Sequence, residues 1–163
     1  MTFNHKSGVF AQIAIAAFLA MTPTPFLFAQ TTRYAQTTAA LKTTSPTPVP
    51  IAGLTITLPA ETAVEKEAVI TLNMPNLFLE GTPVGGTRGG EVSVFVDGTL
   101  VAAGQISDDN TMPPGDGRKA TTIVVKVPLL SSQQTVRAKW NAVRNSTVQT
   151  DTFASLSAIL ASD

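Results

Sequence analysis

From Ile51 to the C-terminus the chain alternates apolar and polar residues with a period of two, and no helical period interrupts that pattern. Leu54, Ile56 and Leu58 alternate with Thr55 and Thr57; Ala68, Ile70, Leu72 and Met74 alternate with Val69, Thr71 and Asn73. Such a chain turns one set of side chains toward a core and the other toward water, as half-buried strands do. Val92, Val94 and Val96 run into Asp97-Gly98 and then Thr99 to Ala103. Asp-Gly between two β-prone runs predicts a hairpin, because a type I′ turn needs positive φ at both central residues. Three more strands follow: Ile123, Val125 and Val127 face inward in the first, Val136, Ala138, Trp140 and Ala142 in the second, and Leu156, Ala158 and Leu160 in the third. These short strands predict a two-sheet antiparallel sandwich spanning residues 51–163.

The sequence before Ile51 divides in two. His5 and Lys6 precede the apolar run Val9 to Ala20, and no acidic residue occurs before Glu61. A basic start followed by an apolar run of this length reads as a secretory signal peptide, residues 1–29, ending at the small Ala29. Pro23 and Pro25 interrupt the apolar stretch before it reaches the roughly 20 residues of a bilayer span, so no integral membrane span is expected after cleavage. The location expected is therefore secreted, periplasmic or cell-surface. Residues 30–50 are rich in threonine, alanine, proline and glutamine without apolar periodicity, and are expected to form a flexible Thr/Pro-rich linker.

Composition excludes much chemistry. The chain has no cysteine, and its single histidine, His5, lies in the signal segment. A Ser-His-Asp triad, a cysteine nucleophile and a zinc site of the usual ligand types are thereby removed from residues 30–163. Without disulfides, about 110 residues must be held by apolar burial alone, which that size allows. Ten basic side chains face eleven acidic ones once Lys6 is removed, a balance that does not favour nucleic acid or an anionic membrane surface.

A family resemblance is carried by Val92 to Val101, by Thr121 to Trp140, and by Ala154-Ser155-Leu156. A valine-rich strand running into an Asp-Gly turn, a strand ending in Pro128-Leu129, a Thr135-Val136-Arg137-Ala138-Lys139-Trp140 strand and a closing Ala-Ser-Leu strand resemble the bacterial immunoglobulin-like domain, strongest over residues 91–161. Two features depart from that family: Ser131-Ser132-Gln133-Gln134 stands where a glycine-containing turn is usual, and there is one copy rather than a tandem array. The resemblance implies an immunoglobulin-like β-sandwich of about seven strands acting in binding or adhesion.

Four candidate binding residues and four candidate metal ligands follow from the pattern. Arg137 and Lys139 stand on the outward face of their strand with Asn141, and Lys126 is a candidate to join them. Phe95 points outward if its valine neighbours point inward, either as an exposed anchor or covered by Leu100 or Val101. Arg88 lies in the glycine-rich segment Gly85–Gly90, where it would grip an anion or a carboxylate. Asp108, Asp109, Asn110 and Asp116 gather hard oxygen ligands suited to calcium in one connection, although their spacing fits no D-x-D-x-D-G pattern. The carboxylates Glu61, Glu65 and Glu67 read as a solvated connection rather than a hydrolytic pair.

The function expected is a noncatalytic secreted or cell-surface binding module whose partner is an extracellular protein or a glycan. Two alternatives stay open: a subunit of an envelope assembly that pairs by strand addition, and a calcium-dependent carbohydrate binder or secreted hydrolase.

Overall fold

The computed structural model describes residues 31–62, 66–82, 87–109 and 118–160. The expected signal segment lies outside these residues. Among the described residues ten strands are present: β1 (Thr31–Gln36), β2 (Leu41–Thr43), β3 (Val49–Leu58), β4 (Glu67–Glu80), β5 (Thr87–Val96), β6 (Thr99–Asp109), β7 (Lys119–Pro128), β8 (Gln134–Val143), β9 (Thr147–Thr150) and β10 (Ser155–Leu160). They form two antiparallel sheets. In the first, β4 is flanked by β7 on one side and by β9 and β10 end to end on the other, and these in turn pair with β2 and β1. The second runs β3-β8-β5-β6.

The alternation seen in the sequence builds the core. Leu54, Leu58, Ile70, Leu72, Met74, Val92, Val94, Val136 and Leu156 are fully buried between the sheets, and Trp140 is 3% exposed. The β5–β6 hairpin turns at Asp97 and Gly98 with φ of 49° and 85°, the two positive values that a type I′ turn requires.

The expected all-β sandwich is present, and its connectivity is that of a jelly roll. Outside the β5–β6 hairpin and the broken pairs β1/β2 and β9/β10, each successive strand crosses to the opposite sheet. Each inward face therefore packs against its sequence neighbours across the core, and strands distant in sequence lie side by side.

Residues 31–50 correct the expectation of a free linker. Six residues of β1 pair with β10, from Thr31 opposite Leu160 to Gln36 opposite Ser155, and β2 pairs with β9. Thr37 is buried between them: its N–H donates to Ala154 O at 2.9 Å, and its hydroxyl accepts from Ala154 N at 3.1 Å. Ser45 O accepts from Ala142 N at 2.7 Å and so ties this segment to β8. The composition misled because an edge strand with one face in water needs few apolar residues; its ladder hydrogen bonds come from the backbone of any residue other than proline.

At one end of the sandwich the sheets come close. A side chain at Gly90 would start 2.3 Å from Val148 Cγ2 of the opposite sheet and 3.0 Å from Asn141 O. Only a residue without Cβ fits there. Two residues earlier on the same inward face, Arg88 fills the space beyond.

Candidate functional site

The outer face of the β3-β8-β5-β6 sheet carries the site. Strand parity dictates its membership: because Val136, Ala138 and Trp140 point into the core, Thr135, Arg137 and Lys139 point out. Register then aligns their neighbours. Arg137 stands opposite Phe95 on one side and Thr55 on the other, and Thr57 stands opposite Thr135. Phe95, Asp97, Gly98, Thr135, Arg137 and Lys139 surround a hollow of ≈ 330 Å³.

Three of the four binding residues expected from sequence thus meet in one place. Phe95 is half-buried; Leu100 is its cross-strand partner on β6, and Lys139 Nζ sits 4.0 Å from the centre of its ring. An ammonium over a π face is attracted by the ring quadrupole. Phe95 therefore holds the Lys139 head group at the rim of the hollow instead of offering a bare aromatic surface. Asp97 fixes the hollow's end, since its Oδ1 accepts from Thr135 N at 2.7 Å while its own N–H donates to Thr135 O at 2.9 Å.

A second hollow of ≈ 380 Å³ abuts the first around the edge of β3 and is lined by Arg33, Tyr34, Thr55, Thr57, Pro59 and Gln133. Thr55 and Thr57, which line the second hollow, are the cross-strand partners of Arg137 and Thr135, which line the first. Directly opposed Cβ atoms lie about 5 Å apart, so the two hollows lie side by side along this groove. Tyr34 is 60% exposed, and its hydroxyl donates to Gln36 Oε1 at 2.8 Å. Sequence reasoning missed Arg33 and Tyr34 because they lie in the segment without apolar periodicity. A Tyr between polar β-formers, close to the first core strand, was the signal available.

The remaining candidates are placed elsewhere. Arg88 is 3% exposed and turned inward, with its NH1 3.5 Å from Asp108 Oδ2 and its Nε donating to Gly81 O at 2.9 Å. The carboxylate that Arg88 grips is therefore internal, directly across the β5–β6 ladder. Asp108 is itself buried and engaged in that pair. Asn110, Asp116 and the Asp109 side chain lie outside the described residues, among which no three acidic groups converge on a metal-sized space. Lys126 belongs to the other sheet, where it pairs with Glu67 instead of joining Arg137. Asn141, expected on the exposed face, is buried at 8% exposure, and its Oδ1 has no hydrogen-bond partner. Of the carboxylates in the first connection, Glu61 pairs with Lys66 at 3.3 Å, and Glu65 lies outside the described residues.

A jelly-roll sandwich with polar hollows along the outer face of one sheet defines the class: an all-β domain of two antiparallel sheets. Within that class the chain belongs to the Bc2l-C N-terminal domain family, whose model matches residues 32–159. No curated protein matches the chain in sequence. Among solved structures it is similar to the EclA C-terminal domain, described as a sugar-binding protein, at 19% identity over 69% of this chain and 74% of that one, with a TM-score of 0.40. It is similar as well to the insecticidal delta-endotoxin Cry8Ea1 of Bacillus thuringiensis, at 13% identity over 76% of this chain and 20% of the toxin, with a TM-score of 0.42. A third is the VP2 subviral particle of infectious bursal disease virus, at 12% identity over 93% of this chain and 38% of VP2, with a TM-score of 0.45. The chain thus spans about a fifth of the toxin's length.

Proposed function

We propose that this protein is a noncatalytic glycan-binding module acting outside the cytoplasm, secreted, periplasmic or at the cell surface. The observation that carries the reading is the groove. It combines the exposed Tyr34 ring, the hydroxyls of Thr55, Thr57 and Thr135, the Gln133 amide and the charged groups of Asp97, Arg137 and Lys139. Sugar rings offer an apolar C–H face to an aromatic plane and hydroxyls to flanking donors and acceptors, and this surface supplies both. Membership of a lectin-like family supports the same reading. The two hollows together favour an oligosaccharide over a single sugar.

Residues 30–163, labelled and passed over an array of oligosaccharides, are expected to retain a related set of glycans. Tyr34→Ala should weaken that retention by up to about tenfold while leaving the melting temperature within a few degrees. Failure to retain any glycan, or retention unchanged by both Tyr34→Ala and Arg137→Ala, would refute the reading.

A second reading, assembly into an oligomer, is favoured by the outer face of the other sheet. Val69 and Ile159 are cross-strand partners there, exposed by 36% and 43%, and Val124, 62% exposed, stands diagonally beside them opposite Thr71. The Glu67–Lys126 pair is the charge at the border of this patch. Sedimentation equilibrium should show association that rises with concentration and is abolished by Val124→Lys; a monomer at every concentration sinks this reading.

A further inference from the structure

We propose that the groove takes an acidic glycan, one whose sugars carry carboxylates, and that Arg137 and Lys139 read the charge. The inference rests on the glycan reading above and deepens it. Its basis is the gathering of three cations without ion-pair partners, Arg33, Arg137 and Lys139, along the two hollows.

Four of the described basic side chains are ion-paired: Lys66 with Glu61, Arg88 with Asp108, Arg118 with Asp151 and Lys126 with Glu67. Arg144 and Lys119 donate to Thr87 Oγ1 and Ser107 O. Among the described residues Arg33, Arg137 and Lys139 have no ion-pair partner and line the groove; Lys119 and Arg144, which bond only to those neutral oxygens, have none either and lie off it. Lys42 is likewise without one but stands apart on β2. The one carboxylate lining the groove, Asp97, already spends an oxygen on Thr135 N–H. The next on this face is Glu91, opposite Asn141 and two positions up β5 from Ser93, which is the partner of Lys139. The strip is therefore cationic over the length of the two hollows and ends at Glu91.

The formal net charge of the whole chain is zero, so this asymmetry is local and not a by-product of a basic protein. A neutral protein does not collect polyanions by long-range attraction; the anion must be recognised at contact. The side chains suit contact recognition. Arg137 offers a planar fork that matches a carboxylate through two parallel hydrogen bonds. Lys139, held over the Phe95 ring, has surrendered part of its rotamer freedom before any ligand arrives. Their Cα atoms are two strand residues, about 7 Å, apart, so one chain of sugars can meet both. Nucleic acid is disfavoured, because a phosphodiester track needs many cations along its length, and this strip has three.

The test is calorimetric titration of residues 30–163 with hexagalacturonate and with its fully methyl-esterified form, which keeps the rings and removes the charge. The acid is expected to bind at least about tenfold more tightly than the ester, and to lose affinity as salt rises to about 0.5 M. Arg137→Gln should weaken the acid by about tenfold, and Arg137→Lys should recover part of the loss. Lys126→Gln, on the other sheet, should leave the affinity unchanged. Equal binding of acid and ester overturns the proposal and leaves the glycan reading standing. So does failure of both probes when the array retains neutral sugars. An array that retains nothing, with both probes silent, overturns the two together. Tighter binding of duplex DNA than of hexagalacturonate, lost in the same variants, would replace the glycan with nucleic acid.

Discussion

Arg88→Met is expected to destabilise the protein by about 3 to 5 kcal/mol, a large share of the 5 to 15 kcal/mol that holds a typical domain together. The substitution keeps much of the side chain's length and deletes its charge. Asp108, 8% exposed, would then be left as a buried carboxylate without its cation, and Gly81 O would lose the donor at 2.9 Å. The cost is chiefly that of the orphaned charge, and the pair itself contributes much less. A double variant, Arg88→Met with Asp108→Leu, should therefore recover most of the stability. Urea denaturation of the two variants and the parent checks this. If the double variant is as unstable as the single one, the guanidinium matters for its packing and not for its charge.

Removing residues 30–50, so that the chain begins at Ile51, is expected to cost at least about 3 kcal/mol or to abolish cooperative folding. That boundary is where the sequence pattern places the start of the domain. The structure puts β1 on β10, β2 on β9 and the Thr37–Ala154 hydrogen bonds between them, and all are lost in such a truncation. Leu156 and Ala158, fully buried, lie in the strand whose edge would open. Comparison of the melting curves of residues 30–163 and 51–163 decides the matter; coincident curves would mean that β1 and β2 decorate the sandwich without supporting it.

The contrast between what was legible and what was not follows from the physics of patterning. β3, the first half of β4, β7, β8 and β10 each bury one face and wet the other, so their period of two is plain in the chain. The β5–β6 turn announced itself through Asp97-Gly98, whose backbone requirement few other pairs meet. The second half of β4 was hidden by Pro75, where the pairing with β7 shifts register between Met74 and Leu77 and the alternation loses its phase. β1, β2 and β9 are short and polar, and only the partners they meet identify them as strands. The site divides along the same line. Arg137 and Lys139 were readable because they sit on a strand with a strong inner face, and Phe95 because hairpin parity fixes its direction. Arg33 and Tyr34 were not, since their place depends on β1 lying beside β3. The burial of Arg88 was equally illegible: glycines that read as a loop prove to be a strand thinned to let two sheets approach.

Because β1 and β10 run antiparallel, Thr31 and Leu160 are direct neighbours. The pairing of the first described strand with the last joins residues about 130 apart in the chain, and contacts of such long sequence separation slow folding. The same adjacency makes the chain a natural subject for circular permutation. A short linker from beyond Leu160 back to Thr31, with new ends opened at the exposed Ser131-Ser132 turn, would keep every ladder intact while making the β1–β10 pairing local in sequence.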